Sequence, residues 1–498
     1  MLRVEASDPA RGDAHGRGTS SRVYPGWRVD ALALGVVAVV LRIAVFFAAR
    51  SLVFDDGVFG SSALAMRAGD APFRDVFSSQ GPVFLPLVWL ADLAGFRTVD
   101  APRLLTVGAG VLVTIATYSC ARHVTTRGNA LFAAALVTTS GSVLWVTGPV
   151  NADGPSLALS VLALAFALRY RARPRTSTAL WVGVAGGAAI SIKALSVPAV
   201  LIAGLVVLLS HRRVRDAATA AGVAVGVYVL AALPWGIERV WDQSYTYHNE
   251  SRRVNTPLEA AEKVVRTLWS RDLLVVVALA LALGALIVRS VGRRRAHTNR
   301  RGASDGITTD DPRFVVGGLL LWVALVFALL LWEPAMWRAH IAHLVVPLAL
   351  LAALRPPPWP LLLVVGMIAV PVFVADNSDI LWPSGYSGHE AALVHRLREL
   401  PDRALVISDN PGWAWRSGHA PPGNFADTSY QRIDNGELTE NSLARAASAS
   451  DVCAVVASSA SQFLRFPGLD DRLATEGYEP TRFGPRITLY LRSHCMKS

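Results

Sequence analysis

Two adjacent carboxylates, Asp55 and Asp56, stand in Phe54-Asp55-Asp56-Gly57-Val58-Phe59-Gly60, a few residues beyond the first long apolar run. A carboxylate at a water boundary keeps its charge at little cost, and one within reach of a hydroxyl can take its proton. A third, Asp153, lies in Asn151-Ala152-Asp153-Gly154-Pro155, where it could also cap a helix opened by Pro155. Cations stand at the end of one apolar run, Lys193, and in the loops between others, Arg252-Arg253 and Arg338. Guanidinium forks and ammonium groups suit phosphate oxygens that gain charge during a displacement. Lys193 could equally snorkel from a helix end, and Arg252-Arg253 could meet lipid headgroups. Gln80, Tyr247, His248, His340 and His343 add polar and aromatic groups able to touch a sugar or a hydroxyl acceptor. His340 and His343 stand three residues apart without a third clear ligand, which is poor zinc spacing. The acids could bind a divalent cation or act without one, and no other cofactor is indicated.

These groups need elements that hold them at one surface. Of 498 residues 52% are hydrophobic and only 17% charged, too little polar surface for a water-soluble globule of this size. Apolar runs of membrane-crossing length recur at 31–50, 103–120, 129–149, 154–170, 178–193, 194–210, 217–235, 272–290, 314–332, 340–354 and 359–375. The stretch 82–96 is shorter, carries Asp92 and two prolines, and reads as a juxtamembrane or re-entrant helix. Counting it as a span would put the arginine runs 169–175, 212–215 and 293–301 outside. Leaving it out puts all three in the cytoplasm, as the positive-inside rule demands. The net charge of +11 is then a matter of topology and does not call for a nucleic-acid partner.

With this register the N-terminus, residues 1–28, is a cytoplasmic segment rich in Gly, Arg and Ser that is expected to be disordered. Residues 29–375 form the membrane domain, with external loops at 51–102 and 237–271. From 376 to 498 the composition becomes that of a small soluble α/β domain on the outer side. A helix is expected over 389–400, strands over 404–408, 452–456 and 487–491, a helical pattern over 462–476, and turns over 409–424. If this domain lies outside the cytoplasm, a Cys453–Cys495 disulfide is possible.

The order of an acid pair after the first helix, a Gly69-Asp70-Ala71-Pro72 turn and Gln80-Gly81-Pro82 before a short apolar helix resembles the GT-C membrane glycosyltransferases. Within them it is most similar to the protein O-mannosyltransferase and aminoarabinose-transferase group, glycosyltransferase family 39-like. Arg103-Leu104-Leu105, Asn151 to Pro155, Gly183 to Lys193 and Trp337 to Pro347 extend the resemblance over nearly the whole membrane region. Asp56 stands where the group often has glutamate, and Gln80 near a position where some members carry lysine.

The resemblance implies a polytopic α-helical membrane protein of GT-C type with about eleven spans, a juxtamembrane helix and an extracytoplasmic α/β domain. It implies a polyprenyl-phosphate sugar donor, surrounding membrane lipids and a cell-envelope acceptor in the plasma membrane. Asp55 matches the group's proposed catalytic base, with Asp56 and Asp153 as further acids. Lys193, Arg252, Arg253 and Arg338 are expected at the donor phosphate. A transporter or lipid flippase is the competing class, but the chain shows neither repeated halves nor midplane charges or broken helices clearly.

Overall fold

The structure, a computed structural model, describes residues 26–211, 213–296, 312–356, 358–458 and 462–495. Nearly all of the predicted N-terminal segment 1–28, and part of the arginine run 293–301, therefore lie outside the described residues. Helix α1 (Trp27–Phe46) runs into the first loop, which holds α2 (Phe54–Ala68) and α3 (Phe84–Ala94). Then come α4 (Leu104–Val124), α5 (Arg127–Thr138), α6 (Gly141–Thr147), α7 (Asp153–Ala172), α8 (Thr176–Ile192), α9 (Val197–His211) and α10 (Val214–Ala232). The second loop carries α11 (Ile237–Trp241), α12 (Tyr247–Glu250) and α13 (Pro257–Arg271), and the remaining apolar helices are α14 (Leu273–Ala296), α15 (Pro312–Trp332), α16 (Ala342–Leu354) and α17 (Trp359–Asp376).

Each predicted apolar segment coincides with a helix or a bent pair of helices, but their lengths differ from a uniform set of spans. Among the described residues four helices are long and apolar enough to cross a bilayer alone: Trp27–Phe46, Ala101–Val124, Val214–Trp235 and Phe314–Trp332. The pair α5 and α6 bends by 63°, and α13 meets α14 at 98°. One carboxylate ties both breaks together, since the Ser140 and Ser142 hydroxyls donate to Asp272. Helix α13 begins at a capping box, Thr256 with Glu259, and buries Ala260, Val264 and Thr267 along one stripe. That stripe suits a helix packed on a surface, not a continuation of α14. Helix α3, at about 16 Å, is too short to cross the hydrocarbon. Arg67 of α2 forks onto its buried Asp92.

The C-terminal region forms a four-stranded sheet in the order β1-β2-β4-β3, from β1 (Leu405–Ser408), β2 (Val452–Ser458), β3 (Tyr478–Phe483) and β4 (Ile487–Arg492). β1 pairs with β2 in parallel; β4 runs antiparallel to both β2 and β3. β3 escaped the sequence reading because it is an edge strand: Glu479, Pro480, Thr481 and Arg482 are all exposed, so it shows no apolar alternation. Cys453 and Cys495 are joined by a disulfide.

This region sits directly on the first loop. The stretch 409–424, expected as turns, instead holds the helix Pro411–Ser417, whose first turn is capped by the Asn410 side chain. Both tryptophans of this helix are buried, Trp415 completely. A Cβ at Gly57 would lie 2.4 Å from Gly412 N, and one at Gly60 would lie 2.1 Å from the Trp415 ring. The two glycines of the acid motif therefore let α2 lie flat on the C-terminal helix, and Ser61 donates to the Pro411 carbonyl at 2.9 Å. Arg416 adds bonds to Ala49 O and Asp100. Gly60→Leu would have to displace Trp415 and is expected to destabilise this docking by about 1–3 kcal/mol or more. Faster limited proteolysis between residues 376 and 411 would register it; an unchanged digest would show that the contact is dispensable.

Candidate active site

The first loop folds back against the end of α8. Gly81 N and Val83 N donate to the carbonyls of Ile192 and Ser191, at 3.0 Å each, with no room for a Cβ on Gly81. The second loop clamps it from the other side: Gln243 brackets Ser78 N and Phe73 O, and Ser244 donates to Gln80 O. Between these loops, the ends of α8 and α15, and the C-terminal region lies a cavity of about 880 Å³.

Asp55 lines the cavity, and its Oδ2 accepts from the Asn151 amide at 3.1 Å. Enclosure raises its pKa from the usual carboxylate range to about 6, against the pull of the Lys193 charge. Asp56, one residue on, has a different fate. It is fully buried and accepts from Arg103 through both oxygens, at 3.2 and 2.6 Å, and from the backbone N–H groups of Leu52 and Val150. Arg103, also fully buried, spends its other N–H groups on the carbonyls of Val45, Phe46, Ala48 and Arg50. Asp56 thus fastens the C-terminal end of α1 to the start of α4 and has no oxygen left for a substrate. The acid pair divides its work, because neighbouring residues on a helix point about 100° apart.

Lys193 also lines the cavity, held by Asp153 Oδ2 at 2.8 Å and by His340 Nε2 at 3.0 Å. An ammonium only donates, so Nε2 of His340 accepts and its Nδ1–H donates to Glu333 Oε2 at 2.6 Å. Two of the three Lys193 donors are used this way, leaving one for a ligand. Asp153 itself lies beneath the cavity floor, with His343 Nε2 3.5 Å from its second oxygen. Asp153 and His343 were expected to touch substrate; the structure makes them the buried support of Lys193.

Arg338 reaches the cavity edge beside Lys263, which donates to Met336 O at 2.6 Å. Arg252 and Arg253, expected at the same phosphate, do not line it. Arg253 instead donates to the Trp332 carbonyl at the exposed end of α15. Gln80, Tyr247, His248 and His340 are brought to the wall as expected. His248 donates Nε2–H to Ser79 O at 2.8 Å, and burial lowers its pKa. Sequence reasoning missed Lys263, Glu333, Asp427 and Gln462, which also line the cavity. Lys263 carried a signal, being one of only three lysines in a chain rich in arginine. Asp427 and Gln462 carried none. Among the described residues no group of three or more His, Cys, Asp or Glu side chains is arranged to hold a metal ion.

The fold has known counterparts. ArnT from Cupriavidus metallidurans in the apo state superposes with a TM-score of 0.64 at 13% identity, over 93% of this chain and 97% of that one. The same protein bound to undecaprenyl phosphate gives 0.62 at 14% identity, over 95% and 99%. The fold is that of the GT-C membrane glycosyltransferases. Residues 79–236 also match the family model described as dolichyl-phosphate-mannose-protein mannosyltransferase. That match takes in Gln80, Asp153 and Lys193 and begins after Asp55. No curated protein matches the chain by sequence. Both superpositions cover nearly the full length of each chain.

Proposed function

We propose that this protein is a glycosyltransferase that moves a sugar from a polyprenyl-phosphate donor to a hydroxyl of a cell-envelope glycan, lipid or protein, with inversion. The observation that carries this reading is that the Asp55 carboxylate and the Lys193 ammonium face one cavity, walled partly by apolar helix ends. A lipid-linked donor needs that geometry, because its tail lies among helices while its phosphate and sugar stand at the surface. The GT-C fold, the undecaprenyl phosphate bound to ArnT and the dolichyl-phosphate in the family's description favour such a donor.

In the reaction, Asp55 takes the acceptor O–H proton as that oxygen attacks the anomeric carbon from the face opposite the phosphate. The bond from the anomeric carbon to the phosphate oxygen breaks, and the lipid phosphate leaves as an anion. Lys193 and Arg338, with Lys263 beside them, stabilise the charge on that oxygen. Asp56 and Asp153 hold Asp55 and Lys193 in place. Should a divalent cation be recruited, Asp55, Glu333 and Asp427 are the carboxylates that line the cavity.

The test is transfer of radiolabel from polyprenyl-phosphate sugars to a membrane acceptor extract by the purified protein in detergent. Wild-type protein that consumes no donor would refute the reading. For sidedness, we place the N-terminus in the cytoplasm and the cavity and C-terminal region outside the plasma membrane. Cys120 is buried and Cys453 and Cys495 are paired, so Ser384→Cys adds an exposed thiol on its own. An impermeant maleimide should label it in intact cells. Labelling only after permeabilisation would reverse the topology.

A further inference from the structure

The roof of the cavity belongs to the C-terminal region, and two of its polar side chains are almost wholly withdrawn from solvent. Asp427 is 5% exposed and Gln462 7% exposed, yet both line the cavity. Gln462 Oε1 is buried and has no hydrogen-bond partner among the described residues. Asp427 accepts through Oδ1 from Ser429 N at 2.9 Å. A buried acceptor left unmade costs about 1–3 kcal/mol, so such a pair is stable when a ligand brings donors to it. The Asp427 carboxylate disfavours phosphate and carboxylate ligands, and the Gln462 carbonyl calls for a donor. They suit a molecule that presents several O–H groups.

The rest of the roof fits the same kind of ligand. Tyr430 of the C-terminal region and Trp337, which precedes α16, both line the cavity with ring centroids 6.0 Å apart and offer it flat apolar faces. Hydroxyl donors on its edges and C–H groups on its faces are what a sugar ring offers together. The roof is also fixed relative to Asp55. Arg432 donates to the carbonyls of Asn424 and Asp427, at 2.6 and 2.7 Å, and its guanidinium lies 3.9 Å over the Phe77 ring of the first loop. Tyr247 OH lies 3.2 Å from Ser429 Oγ, joining the second loop to the same segment.

Two walls imply two substrates. Ile190, Leu195, Leu329 and Trp332 make the helix side apolar, and a lipid-linked donor has to approach there. The polar roof remains for the molecule that comes from water. We infer that the C-terminal region carries the acceptor subsite, and that the acceptor is a carbohydrate whose hydroxyls are bound by Asp427 and Gln462. This rests on the glycosyltransferase reading and narrows its acceptor from glycan, lipid or protein to glycan.

The experiment offers the purified full-length protein a radiolabelled polyprenyl-phosphate sugar with three acceptors in turn: an oligosaccharide, a Ser/Thr peptide and a glycerolipid. Binding of the oligosaccharide alone is followed in parallel by tryptophan fluorescence. Wild type should use the oligosaccharide. Asp427→Asn and Gln462→Ala should each raise the oligosaccharide KM about tenfold or more, while the donor KM moves less than twofold. Preference for the peptide or the lipid overturns the inference, as does an unchanged oligosaccharide KM in both variants. A donor KM that rises in step with the acceptor KM also overturns it, by making the roof a donor site. If wild type consumes no donor but both variants lose oligosaccharide binding, the glycosyltransferase reading falls and the carbohydrate site stands.

Discussion

Asp55→Asn is expected to lower the rate of sugar transfer by about 10²–10⁴-fold, the range for losing a positioned general base. The amide keeps the size of the carboxylate and can still meet Asn151, so loss of geometry would not explain a fall of that size. The pH profile supplies the sign. Asp55 accepts a proton only when ionised, and its pKa is raised to about 6 by enclosure. Transfer by wild type should therefore be full above pH 7 and fall about tenfold per pH unit well below 6. The variant should show no such limb in its residual rate.

Stability should move the other way. A raised carboxylate pKa means that the charged form is disfavoured in the folded state, so this group weakens folding as pH rises from about 4 through 6. At pH 7 Asp55→Asn should be no less stable than wild type in a thermal melt. A variant that transfers sugar at the wild-type rate would remove Asp55 from the mechanism.

Asp56→Ala, one residue away, is expected to fail by a different route, with a loss of about 3–5 kcal/mol of stability. Arg103 and Asp56 are both completely buried, and removing the carboxylate leaves the guanidinium its backbone carbonyls, the Trp415 ring and the more distant Asp100, 3.7 Å away and already paired with Arg416. The Val150 and Leu52 N–H groups lose their acceptor in the same step. A lowered melting temperature and early aggregation in detergent would register this. Asp56→Ala protein that melts with wild type but transfers no sugar would instead put Asp56 among the reacting groups. The two variants together separate the proposed base from the structural carboxylate, because only Asp56→Ala should lower the melting temperature.

Much of the molecule was legible because the bilayer imposes a coarse code. Apolar runs, arginine runs and the shortness of 82–96 gave the helices and the off-span character of α3 without tertiary information. The strands β1, β2 and β4 announced themselves through apolar alternation or continuous burial. β3 did not, since its side chains face water on an edge. The helix Pro411–Ser417 was hidden because Asp409-Asn410-Pro411-Gly412 is also good turn chemistry, and only packing against α2 chooses between the two.

Within the site, residue types and order determined which positions could do chemistry: Asp55, Asp56, Asp153, Lys193 and Arg338 are all present in the sequence reading. The resemblance also singled out Asp55 as base, but what Asp56 and Asp153 hold was not legible. Whether a carboxylate faces a cavity or a buried guanidinium depends on where Arg103, 47 residues away, is carried by α4. Placement likewise sent Arg253 to the end of α15, sent His343 beneath the floor, and brought Asp427 and Gln462 in from the far end of the chain. The sequence determined a membrane-embedded bundle with an acid motif at its water boundary, because hydropathy and charge act locally. Only the tertiary structure decided which acid remains open to a substrate, because burial and pairing belong to residues distant along the chain.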